Sequence, residues 1–289
     1  MVIVSDRAYD VHFRIQRTPF IVIIYILSTI VLTQLKTITI MKKVTIALVL
    51  VLFASGGYLR AQGVDEIINN YFENTGGIDA WKKLNGIKIN AKVNQGGIEI
   101  PIEIVQLRDG RQYTKITIQG QELMQGVFDG TSLWNTNFAT MKAEKADDES
   151  TANAKLDAND FPDSFFDYKS KGYKAELVGK ETFDGAETFK LKLTRESRTV
   201  DGASVEDVLY FFLESESFVP IGQETEIKEG PAKGQISQTK MSDYQEVGGL
   251  YFPYSLTQGI KGGQSQPIII DKIEVNPTVS DSDFAYPEN

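Results

Sequence analysis

Apolar positions change period along this chain, and the changes divide it into elements. Val64, Ile67, Ile68, Tyr71 and Phe72 recur at helical spacing, which predicts an amphipathic helix over residues 64–72, stopped by Gly76-Gly77. A second short helix follows, with Ile78, Trp81 and Leu84 on one side, and Asn85-Gly86 breaks it. The period then becomes two. Ile87, Ile89, Ala91 and Val93 alternate with Lys88, Asn90 and Lys92; past Gly96-Gly97, Ile98, Ile100, Ile102 and Ile104 alternate with Glu99, Pro101 and Glu103. Asp109-Gly110, Gly120 and Gly130 separate further strand-like runs at 112–119, 122–129 and 132–137. Five consecutive strands joined by tight turns predict an antiparallel meander.

Residues 142–171 depart from this pattern. They are acidic and alanine-rich around 147–160, which favours a helix, and then read Phe161-Pro162-Asp163-Ser164-Phe165-Phe166. Strand patterning resumes at 175–180 and in Phe189, Leu191 and Leu193, which alternate with Lys190 and Lys192. It continues through 205–214, 218–227, 235–246, 251–259 and 268–275, with Asp184-Gly185 and Asp201-Gly202 as turns. The count is about eleven strands and three helices, so the fold class is mainly β. No linker or composition break divides residues 62–289, which read as one domain. A single antiparallel sheet of this size must curl to bury its apolar face, and the few helices are free to cover an incompletely closed concave side. The predicted architecture is a strongly curved antiparallel half-barrel covered by helices.

The first sixty residues have a different character. Met41-Lys42-Lys43, the apolar run 44–54 and Ala61-Gln62 form the layout of a cleaved secretory signal peptide over residues 41–61. That run is well short of the ~20 residues that span a bilayer as a helix. Upstream, 20–35 is a second apolar run preceded by Arg14 and Arg17. Residues 1–40 read as an extension ahead of the true initiator, Met41; the competing reading is a marginal inner-membrane anchor.

Charge and composition sharpen the picture. Residues 1–61 carry seven Lys/Arg and two Asp, whereas 62–289 hold 23 basic and 37 acidic side chains, a net charge of −14. Such a surface repels phosphate backbones and disfavours nucleic acid as a partner. The chain has no Cys, and its one histidine, His12, precedes the mature part. Ser-His-Asp, Cys-His and His-metal chemistry are thereby excluded from residues 62–289. Neither Ser204 nor Ser237 has the glycines of a nucleophile elbow, and no nucleotide-binding glycine fingerprint is present. Asp157, Asp160, Asp163 and Asp167 resemble a calcium loop in spacing only, because Pro162 and Tyr168 stand where that loop needs glycine and a bidentate glutamate. A solvated acidic connection is the simpler account. The expectation is a protein that is not an enzyme and uses no metal or cofactor.

A large sheet with too few helices to fill it suggests a lipid-sized cavity. Ile98, Ile100, Ile102, Ile104, Val127, Trp134, Phe189, Leu191, Leu193 and Leu209 are the candidate lining residues. The helices at 64–84 and the segment 142–171 would then act as a movable cover.

Particular residues carry a family resemblance. Tyr71-Phe72, Gly76-Gly77, Trp81-Lys82-Lys83-Leu84 and the strand 87–93 open the mature chain; Ile273-Glu274-Val275-Asn276-Pro277, Ser282-Asp283-Phe284 and Pro287 close it. Over 62–289 the chain resembles LolA-like outer-membrane lipoprotein-sorting proteins. The resemblance implies a helix-covered half-barrel and a periplasmic carrier whose cargo is a lipoprotein or other acyl-chain lipid. It also implies a monomer, with envelope membrane proteins that load or receive the cargo. Carriers of that family use an arginine near the cavity mouth to control closure. Arg108, Arg111, Arg195 and Arg198 are candidates here, but none sits in a matching motif and no role is transferred. The alternative is a non-catalytic β-rich cell-envelope binding module with a filled interior. Emptiness of the concave side separates the two.

Overall fold

The computed structural model describes residues 63–287; the expected extension over 1–40 and signal peptide over 41–61 lie outside the described residues. Helices α1 (Val64–Asn74) and α2 (Ile78–Lys83) come first. The meander follows as β1 (Gly86–Gln95), β2 (Ile98–Leu107), β3 (Gln112–Ile118), β4 (Gln121–Phe128) and β5 (Leu133–Thr136), extended by a short β6 (Ala143–Lys145). Helix α3 (Asp148–Ala158) and a loop over 159–173 lead to β7 (Lys174–Phe183) and β8 (Ala186–Thr194). A separate ribbon of β9 (Arg198–Val200) and β10 (Ala203–Val205) precedes β11 (Val208–Glu214), β12 (Pro220–Glu226), β13 (Ile236–Val247), β14 (Leu250–Ile260) and β15 (Ser265–Val275).

Thirteen strands form one sheet in the order β6-β5-β4-β3-β2-β1-β15-β14-β13-β12-β11-β8-β7, antiparallel throughout. The first and last strands do not meet, so the sheet is a curved half-barrel with two free edges. Sequence periodicity undercounts these strands for a physical reason. Strands β6, β9 and β10 are three residues each, too short for alternation to register. Val205 accordingly belongs to the ribbon that turns at Asp201-Gly202, and β11 begins only at Val208.

The register fixes which residues share a face. Ile87, Ile89, Ala91 and Val93 on β1 lie opposite Gln106, Ile104, Ile102 and Ile100 on β2, and opposite Val275, Ile273, Ile270 and Ile268 on β15. This inner face continues through Phe252 and Leu256 on β14, Leu209, Phe211 and Leu213 on β11, and Phe189, Leu191 and Leu193 on β8. Against it pack Ile67, Ile68, Tyr71 and Phe72 of α1, Trp81 of α2, and Phe165, Phe166, Tyr168 and Tyr173 of the 159–173 loop, in one continuous core. A second core lies on the outer face, where Val105, Leu107, Tyr113, Val127 and Trp134 are sealed by Phe284 of the C-terminal segment.

The two ends of the sheet differ. The helices dock at the end formed by the β2–β3 and β13–β14 turns, where the Tyr251 amide donates to the Thr75 carbonyl (3.1 Å). Gly76 makes this approach possible: a Cβ there would meet the Gly249 carbonyl oxygen at 2.1 Å, and its φ of +119° is open only to glycine. The opposite end carries the β1–β2, β3–β4 and β14–β15 turns.

Candidate functional site: the inner face of the half-barrel

At the helix-docked end, the inner face holds a cavity of about 300 Å³ that is open to solvent on one side. Its walls are mixed, with aromatic side chains such as Trp81, Phe161, Phe211 and Phe252 and the aliphatic Ile87 and Ile89 of β1 beside polar groups. A chain of hydrogen bonds sets the walls. Trp81 Nε1 donates to Thr75 Oγ1 (3.1 Å), and that hydroxyl donates to the Tyr71 carbonyl (2.8 Å). Trp81 is thereby held with its ring edge-on to Phe252, centroids 5.8 Å apart. Phe165 plugs the neighbouring stretch, its ring 4.6 Å from that of Phe211.

A carboxylate sits among these rings. Asp163 Oδ2 accepts from Tyr71 Oη (3.1 Å), and Oδ1 accepts from the Phe165 amide (2.8 Å). Burial disfavours its charged form and pushes its pKa above the ordinary value of 3.8. Burial likewise raises Tyr71 well above its ordinary value, reinforced by the negative charge of Asp163. Lys171 is shifted down by burial, and its Nζ donates to the Asp163 backbone carbonyl (3.2 Å), not to the carboxylate.

All four arginines singled out in the sequence have internal partners. Arg108 donates to the Leu84 carbonyl through Nε (2.9 Å) and to the Trp81 carbonyl through Nη2 (3.0 Å), and its guanidinium lies 5.5 Å from the Phe166 ring centroid. It ties β2 to the end of α2 and to the 159–173 loop. Arg111 pairs with Asp109 and Asp281 and lies over Phe284 on the outer face. Arg195 joins Asp160 to Asp207, and Arg198 pairs with Asp157 (2.9 Å), so these two bind α3 and its following loop to the β8–β11 connection.

At the other end the inner face is bare. Ile98, Ile100, Ile102 and Ile104 stand in one row beside Ile116 and Ile118 of β3, with Ile102 directly opposite Ile116. Ile98 is 62% exposed and Ile118 37%, while the others are half-buried. Ile260, at the tip of β14 on the same face, is 36% exposed. Exposed aliphatic side chains grouped on one concave surface mark an interaction site more often than scattered ones do.

The ten candidate lining residues therefore separate into three groups, and none of them lines the cavity at the helix-docked end. The isoleucine row forms the bare end. Phe189, Leu191, Leu193 and Leu209 are on the inner face but packed into the core beneath the helices and loop. Val127 and Trp134 are corrections: they point outward, and Trp134 Nε1 donates to the Phe284 carbonyl (3.1 Å). The C-terminal segment covers β4 and β5 on the outside, so both faces of these strands are apolar, and alternation cannot tell which one faces in. Asp163, Tyr71 and Tyr244, which do line the cavity, were not among the candidates. In the sequence Asp163 stands out only as one of four regularly spaced aspartates in an acidic connection, and Tyr71 only as an apolar position of a helix and part of the family resemblance. Nothing local marks Tyr244.

No protein-family model matches the chain, and no curated protein sequence matches it significantly. Among solved structures, the chain is similar to a DUF1329 family protein from Desulfovibrio piger, with 13% identity and a TM-score of 0.49 over 78% of this chain and 98% of that one. It is similar to a putative outer membrane lipoprotein-sorting protein domain from Vibrio parahaemolyticus, with 12% identity and a TM-score of 0.46 over 77% of this chain and 95% of that one. It is also similar to a LolA superfamily protein from Nitrosomonas europaea, with 14% identity and a TM-score of 0.49 over 78% of this chain and 98% of that one.

Proposed function

We propose that this protein is a non-catalytic lipid-binding protein of the periplasm, exported by a signal peptide, that shields acyl chains on the bare end of its inner face during transfer to the outer membrane. The observation that carries this reading is the row Ile98, Ile100, Ile102 and Ile104 with Ile116 and Ile118, a concave aliphatic surface left without cover. Each acyl methylene fully removed from water gains about 0.8 kcal/mol, and one laid on an open strip gains part of that, so an aliphatic strip several residues long supports reversible binding of a chain. Reversibility matters for a carrier, because cargo held too tightly is not released. The sequence resemblance to lipoprotein-sorting proteins points the same way.

A second reading has an observation of its own. The inner face along β8 and β11 is filled by Phe165, Phe166 and Tyr168, which is what a binding module with a solid interior would show. Native mass spectrometry of protein isolated from the periplasm, with extraction of co-purified lipid, separates the two. The carrier reading expects a bound acyl lipid, and lipoprotein in particular if the protein sorts lipoproteins. Protein that is free of lipid after gentle isolation, and does not compete for a fluorescent fatty acid, supports the filled module.

A further inference from the structure

The cavity at the helix-docked end has a chemistry of its own, distinct from the aliphatic row. Its hydrogen-bond inventory is one-sided. Tyr71 spends its hydroxyl proton on Asp163, Tyr244 spends its own on the Pro220 carbonyl, and Ser164 donates to Asp160 (2.9 Å). These three hydroxyls therefore present lone pairs to the cavity they line. Asp163 adds a carboxylate that makes no direct salt bridge among the described residues: the ammonium nearby, that of Lys171, is spent on the Asp163 backbone carbonyl (3.2 Å) and acts on the carboxylate only through its charge. Its neighbour Asp160 is by contrast already paired with Arg195 and accepts from Tyr173 Oη (3.0 Å). The glutamines in the wall can turn either end of their amides inward and do not set the sign.

An acceptor-rich, partly aromatic cavity of about 300 Å³ with one carboxylate free of a direct salt bridge suits a small donor-rich cation. We propose that this cavity binds a primary ammonium group, with Asp163 as its counter-ion and the Tyr71 and Tyr244 hydroxyl oxygens as its acceptors. A primary ammonium has three N–H donors and one positive charge, which supplies what Asp163 lacks and matches the acceptors around it. The group comes either from a free amine or from the headgroup of an aminophospholipid.

The test is titration calorimetry of the purified protein at neutral pH with ethanolamine, tetramethylammonium and acetate, beside sedimentation with phosphatidylethanolamine and phosphatidylglycerol vesicles. Saturable binding of ethanolamine, weaker binding of tetramethylammonium and none of acetate are expected. Asp163→Asn should weaken the ammonium by about tenfold or more, as loss of a charge-assisted contact does. Tyr244→Phe, which keeps the ring and removes the acceptor, should weaken it less and provides a second readout if Asp163→Asn fails to fold. Ethanolamine binding without vesicle binding identifies a free amine as the ligand. Selective binding of phosphatidylethanolamine vesicles, lost in either variant, identifies the headgroup. Tetramethylammonium binding as tight as ethanolamine, unchanged affinity in both variants, or no ammonium binding in any arm overturns the proposal.

Discussion

Two regions of the inner face are built from the same alternating strands and end in opposite states. On β8 and β11, Leu191, Leu193 and Phe211 are buried in the core that α1, α2 and the 159–173 loop complete. At the turn end, Ile98, Ile102 and Ile118 have the same apolar character and no comparable cover. The difference comes from outside the sheet. Arg108 ties the loop and α2 to the end of β2, Tyr168 and Lys169 tie the loop to Asp65 of α1, and Gly76 lets the α1–α2 turn seat on the β13–β14 turn. All of these attachments hold the helices and the loop over the part of the inner face that becomes core. A sheet that alternates throughout can thus have half its concave face serve as core and leave the other half as a surface.

The largest expected effect separates these halves directly. Leu191→Asp places an unpaired charge in the packed half and should cost roughly 4–5 kcal/mol or more, enough to prevent folding. Ile98→Asp places the same charge in the bare half and should change stability by no more than about 0.5 kcal/mol. Urea unfolding of the two variants checks the contrast, and equal costs would remove it. Thr75→Val should have an intermediate effect, about 1–3 kcal/mol, because it leaves Trp81 Nε1 buried without its acceptor. Unfolding followed by tryptophan fluorescence reads both the loss and any movement of the Trp81 ring.

A pH effect specific to the packed half is the smallest of the set. The raised pKa of Asp163 means that, just above its ordinary 3.8, the native state keeps a proton which the unfolded chain has released. Its favourable contribution is full below that value and is lost as pH rises through the native pKa. Asp163→Asn, with Asp160, Lys171, Tyr71 and Tyr244 still facing the site, should remove that decline. Denaturation of both proteins from about pH 4 to about pH 8 gives the difference curve, and parallel curves would deny the shift.

How much of this was legible in the sequence follows the same division. The row Ile98 to Ile104 is a strict period-two pattern between glycine turns, and the structure keeps it on one face as that pattern dictates. Gly76-Gly77 and Asn85-Gly86 bound α2 closely. Trp134 was misplaced because the C-terminal segment that covers it lies 150 residues away in sequence. The bond between Tyr71 and Asp163 spans 92 residues, so neither side chain announces its partner locally. Periodicity reports which residues share a face, and only long-range contacts report what lies over that face.

Thiol labelling tests the bare inner surface as an acyl-binding site most directly, since the chain has no native cysteine to interfere. Ile102→Cys places a single thiol in the middle of the row, and Leu191→Cys places one in the packed half. Reaction with a small maleimide is then followed with and without oleate. Ile102→Cys should react readily in lipid-free protein and be protected by oleate, while Leu191→Cys should stay unreactive in both. An Ile102→Cys thiol that reacts at the same rate whether or not oleate is present would contradict acyl binding at this surface.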